Sequence, residues 1–116
     1  MNYYKITTRQ NVSIATVRSK YQVFYAGADW IKALVINDVV CPIFVFKELD
    51  DVYNYIEIMD IIHYLLFKVD VKNPRRQILM SHREDYVDFW KYGYNSVSTP
   101  KGTYVCDAVK IIERID

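Results

Sequence analysis

The run Cys41-Pro42-Ile43-Phe44-Val45-Phe46 narrows the folds open to this chain more than any other feature. It is apolar at every position, the pattern of a strand buried on both faces rather than one with a wet side. Pro42 fits only in its first residues, where a missing ladder donor is tolerated.

Around that strand the order of elements is legible in outline. Tyr3 to Thr7 is β-prone and ends at Arg9-Gln10-Asn11. Asn11 suits the cap of a short helix over residues 12–17, although the same segment alternates like a strand. Tyr21–Tyr25 reads as a strand, residues 26–29 as its turn, and Trp30 to Ala33 as the returning arm of a hairpin. Asp50 is placed to cap a helix over Asp50–Met59, whose Val52, Tyr55, Ile56 and Met59 recur on one face. Residues 61–71 either prolong that helix or form a strand with His63, Leu65, Phe67, Val69 and Val71 on one side. The β-branched content favours the strand.

Ser81 and Glu84 have capping-box spacing ahead of a second helix, His82–Tyr92. That helix presents Tyr86, Phe89 and Trp90, and Gly93 is placed to end it in the left-handed conformation. After a turn at residues 99–102, Thr103–Ala108 and Val109 to Ile115 extend as strands. The expectation is one α+β domain over residues 1–116, a mainly antiparallel sheet with two principal helices packed against it.

A length of 116 residues supports such a core unaided, and 52% of the residues are hydrophobic, 11 of them tyrosine. Three glycines and three prolines argue against long disordered stretches. Uncharged runs such as residues 33–37 and 39–46 fall far short of the roughly 20 residues of a membrane span. The N-terminal residues lack a signal-peptide profile, so the expected location is cytoplasmic. Cys41 and Cys106, 65 positions apart and in no C-x-x-C pair, read as buried thiols that pack as small hydrophobes.

Two stretches carry a resemblance. Pro42 to Phe46 followed by Leu49 and Asp51, and later Gly102-Thr103-Tyr104-Val105-Cys106-Asp107-Ala108-Val109-Lys110, are similar to a scattered group of short uncharacterised phage, viral and microbial proteins. That group also opens with a Tyr-Lys-[Ile/Val]-Thr strand, as Tyr4 to Thr7 do, and carries a Trp near the first hairpin, as Trp30 does. The resemblance implies an intact small domain of phage or viral source, and no activity.

No constellation demands a particular chemistry. His63 and His82 read as core-edge and exposed side chains, and with Cys41 and Cys106 they lack the close ligand pair of a structural zinc site. Neither metal nor cofactor is expected. Asp50 and Asp51, like Glu84, Asp85 and Asp88, suit a helix N-terminus. Nucleophile-elbow, P-loop and dinucleotide patterns are missing, so no catalytic residue is assigned.

The charge is uneven: net +4 over residues 1–33, −5 over 34–71 and +2 over 72–116. The leading reading is a non-enzymatic accessory or protein-interaction domain that self-associates or binds a protein partner. Tyr3, Tyr4, Tyr21 and Trp30 would be its contacts, because such rings bury large areas with few torsions to freeze. The second is a nucleic-acid-binding module. Lys72, Arg75 and Arg76 in an exposed turn, with Lys5, Arg9, Arg18 and Lys20, would hold phosphates while tyrosines stack on bases. The third is a small enzyme with an ADP-ribosyltransferase-like fold and Arg9 on its first strand. The chain lacks that fold's Ser-Thr-Ser-like strand and a clear late Glu.

Overall fold

A strand apolar on both faces forms here as expected, but it is shorter than the apolar run. The computed structural model describes residues 2–11, 25–36, 38–81, 86–93 and 96–116. Pro42 breaks the run into β4 (Val39–Cys41) and β5 (Ile43–Phe46). It cannot donate to a ladder, so the chain changes partners there. β4 pairs with β3 (Leu34–Ile36) in a hairpin that turns at Asp38, φ 64°. β5 enters the main sheet.

That sheet has seven antiparallel strands. The remaining six are β1 (Tyr3–Thr7), β2 (Ile31–Lys32), β6 (Leu65–Lys72), β7 (Arg75–Arg76), β10 (Thr103–Cys106) and β11 (Ala108–Arg114), in the order β2-β11-β6-β1-β5-β10-β7. Only Asp107 separates β10 from β11, yet three strands stand between them. Four strand spacings in a flat sheet would be roughly 19 Å, whereas two residues of chain reach about 7 Å at most. The sheet therefore curls into a small barrel, and residues 103–114 act as one bent strand that closes it.

The corner is pinned. Asp107 N–H donates to the Lys72 carbonyl at 2.9 Å, and its carboxylate accepts from Asn73 Nδ2 at 2.9 Å and from Arg75 at 3.1 Å. The Asn73 bond, helped by Arg75, holds the Asp107 carboxyl below the usual range against its partial desolvation.

Strand parity divides the core. Tyr3, Ile43, Val45, Phe67, Val69, Cys106 and Val109 fill the barrel with Tyr25. Ile6, Phe46 and Leu66 face outward and are covered by α1 (Leu49–Ile58) through its fully buried Val52. Asp50 and Asp51 sit in the first turn of α1, favourable toward the helix dipole. Asp50 is not the cap, however: Glu48 holds that position without a side-chain bond. At the other end Asp60 takes φ 53° and Ile61 N–H reaches back to the Ile56 carbonyl at 3.0 Å, a Schellman-type stop.

α2 (Tyr86–Tyr92) lies against β4 and β8 (Leu79–Ser81), the latter paired with β9 (Ser96–Ser98). Its Trp90 ring stands 5.8 Å from that of Phe44 on β5, and Gly93 ends it at φ 76°.

β2 pairs with β11, its apolar Ile31 packing against the same interior cluster as Val109; the expected hairpin arm Tyr21–Tyr25 falls largely on residues 21–24, outside those described. Several expectations need correcting. His63 is exposed in a bend ahead of β6, so the interior parity begins at Leu65. Met59 is 58% exposed, because the helix ends one residue before it. The expected capping box at Ser81 and Glu84 also falls on residues partly outside those described.

Replacing Leu66, which has no exposed surface, by alanine is expected to cost about 2–5 kcal/mol. Asp107→Ala, which removes exposed hydrogen bonds, should cost about 1 kcal/mol or less. Denaturant midpoints in that order support the layering, and the reverse order would contradict it.

Candidate functional site

Strands that bridge only briefly leave space between elements, and β1 and β5 are registered at the single pair Tyr4 and Phe46. On the outer face there, a pocket of ≈ 450 Å³ opens between α1 and the β8–β9 hairpin. Phe44, Phe46 and Ile6 form its floor, and Tyr55, Ile58 and Met59 of α1 one wall. Met80, Val97 and Pro100 form the other. Ile58 and Val97 are 71% and 40% exposed, so apolar surface continues from the pocket to its lip.

The polar rim is asymmetric. Asp51 and Asn54 stand on the α1 side, and Ser98, Thr99 and Lys101 opposite. α1 has no basic residue in its last turn, while Glu48, Asp50, Glu57 and Asp60 are exposed along or beside it. Gly102 joins the two sides at φ 81°, and a Cβ there would collide with the Asp51 carboxylate. Burial pushes the Tyr55 hydroxyl pKa up, so the ring presents a neutral phenol.

Of the candidate binding residues singled out from the sequence, Lys5 alone among those described lines this pocket, and it does so from beneath the floor. Lys5 is 4% exposed: its Nζ donates to the Phe44 carbonyl at 2.7 Å and stands 4.8 Å from the centre of the Tyr25 ring. This corrects the expectation of a surface cation, because parity with Tyr3 turns its stem into the barrel. Tyr3 is likewise 4% exposed and packs edge-on against Tyr104, so it offers no contact surface. Tyr4 and Trp30 are half-buried.

Lys72, Arg75 and Arg76 are exposed at the Asp107 corner, with Arg75 held by Asp107. Arg9 is exposed in the turn after β1 rather than on the strand. Thr7 pairs with Leu65, which places Thr7, two residues before Arg9, roughly 23 Å from Lys72 along β6. Arg18, Lys20 and Tyr21 lie outside the described residues. Among the described residues, the cations expected to act together thus do not gather at one place.

Cys41 and Cys106 are buried free thiols. Among the described residues no group of three His, Cys, Asp or Glu side chains is placed to hold a metal, and no helix is long and apolar enough to cross a membrane. No family model, curated protein or solved structure matches the chain.

Lys5 gives a measurable pH signature. Burial lowers its pKa from 10.5 to about 8, against a smaller opposite effect of Cys106. Between those values the unfolded chain holds the proton that the folded chain has lost, so stability rises with pH. Burial also raises the Cys106 thiol from 9.0 to about 11. Above pH 9 the unfolded thiol ionises first, and its effect opposes that of Lys5. Stability should therefore climb by about 1 kcal/mol from pH 8 to 9 and then flatten. Lys5→Met should remove the climb, as followed by denaturant titration at each pH, and a climb that persists in this variant would assign it elsewhere.

Proposed function

We propose that this protein is a non-enzymatic interaction domain that docks a short amphipathic segment of a protein partner in the pocket between α1 and the β8–β9 hairpin. The observation that carries the reading is the exposure of Ile58, Met59 and Val97 around an apolar floor. Isolated surface hydrophobes are ordinary, whereas contiguous ones that lead into a cavity mark a contact surface. Two of the lining side chains, Met59 and Met80, are methionines, whose unbranched thioethers adapt to varied apolar shapes. The acidic residues of α1 favour an occupant with lysine or arginine beside its apolar side chains, chiefly through encounter rate and choice of partner. The half-buried Tyr55 phenol and the Asn54 amide can orient such an occupant through hydrogen bonds.

The test is a titration of isotope-labelled protein with a peptide of about ten alternating Leu and Lys residues, and with its Leu and Glu counterpart. The basic peptide should shift the resonances of Ile58, Met59, Val97 and Thr99. Ile58→Asp should weaken it by about 10-fold or more, since burying such a side chain is worth about 1.5–3 kcal/mol. Equal binding of the acidic peptide, or shifts that map elsewhere, would count against this reading.

A further inference from the structure

The register of the sheet gathers lysines around a tryptophan on the face that α1 leaves uncovered. Lys32 of β2 and Lys72 of β6 both stand opposite Ala108 of β11, so all three side chains project from the same face. Ala108 contributes only a methyl group to that row. Lys110, two residues farther along β11, shares the face and stands opposite Asp70. Trp30 immediately precedes β2 and has the parity of Lys32, which directs its ring to the same face. The Lys72 ammonium lies 4.5 Å from the centre of that ring.

Lys32, Lys72 and Lys110 are exposed, and Trp30 is half-buried. Asp70 is the acid within the cluster, and Asp29 is exposed beside Trp30. The outward helix α1 packs mainly on β1 and β5, and among the described residues neither helix packs extensively on β11 or β2. The cluster is therefore separate from the pocket proposed above and does not depend on it.

We infer that this face, with Trp30 at its centre and Lys32, Lys72 and Lys110 around it, binds single-stranded nucleic acid. Lysines in a row track a phosphate backbone as point charges, and an indole ring offers a base a stacking surface that every base can use. Such a combination binds without sequence preference. Lys32 and Lys72 lie two strand spacings apart, about 10 Å, a width suited to one strand. Unpaired bases, unlike those of a duplex, are free to reach the ring. Arg75 contributes less than its exposure suggests, because its guanidinium already spans the Asp107 carboxylate and the Asn73 carbonyl.

The experiment is fluorescence anisotropy of a labelled oligothymidine of about 12 nucleotides with the full chain, from low to physiological salt. The unmodified protein should bind with a steep salt dependence. Joint replacement of Lys32, Lys72 and Lys110 by alanine should reduce that slope by about 2, at roughly 0.7 per lost phosphate contact on a single strand. Trp30→Ala should weaken binding by roughly 5- to 150-fold without changing the slope. Trp30→Phe, which keeps a ring, should lose less and controls for a folding defect, with thermal melts of each variant alongside. Lack of binding at low salt, an unchanged slope in the triple variant, or equal affinity for duplex DNA or heparin would each overturn the inference.

Discussion

A chain that passes from β10 to β11 through one residue cannot lie in a flat sheet, and the rest of the fold follows from that constraint. Closure turns one face of β1, β5, β6, β10 and β11 inward, so Val45, Val69 and Val109 on three different strands reach the same interior. The other face is turned out, where only part of it can be covered by a ten-residue helix. Asp107 holds the bend by giving its backbone to Lys72 and its carboxylate to Asn73 and Arg75. These bonds are exposed and individually weak. They fix direction more than they add stability, and direction decides which strand edges meet.

The interior of a barrel this small is normally filled by apolar side chains, and a lysine there needs a physical reason. Lys5 lies where β1 and β5 begin to part, and its ammonium takes the Phe44 carbonyl at 2.7 Å, close to that gap. The Tyr25 ring adds its negative face on one side. A buried cation that kept its charge without such partners would cost several kcal/mol. With them it still loses its proton more readily than in water. The gap between the strands and the buried amine therefore accompany one another, and the pocket on the outer side of the same strands belongs to the same local departure from regular pairing.

Much of the fold was legible where burial is local. The α1 stripe at Val52, Tyr55 and Ile56, the double-faced β5 and the strand over Thr103–Cys106 are each set by residues a few positions apart. Less legible were turns made without glycine. Among the described residues every non-glycine residue with positive φ is Asn or Asp: Asn11, Asp38, Asp60 and Asn73. Both types tolerate the left-handed region, and in a chain with three glycines they take over its work. The β3–β4 hairpin was missed for that reason, although Val35 and Val40 flank Asn37-Asp38. The pocket had no sequence signal, since its walls come from α1, β1, β5, β8, β9 and the turn before β10. The Trp30 cluster depends on pairing between residues 30–32, 72 and 108–110, a long-range fact that spacing does not encode.

A net −5 over residues 34–71 would repel a polyanion if those acids shared a face with the lysines, and the topology sets the acids of α1 apart from them. The acids of α1 sit above β1 and β5, whereas Lys32, Lys72 and Lys110 stand on β2, β6 and β11. One to two strand spacings separate the helix from β6 and two to three from β11, about 5–14 Å laterally, before its height above the sheet is added. At β11 and β2 that exceeds the screening length of about 8 Å at physiological salt. Repulsion from α1 is then largely screened at Lys32 and Lys110, while attraction among groups in contact is not. A net charge of +1 thus conceals two local fields of opposite sign on one outer surface. Each field would favour a partner of the charge that the other repels.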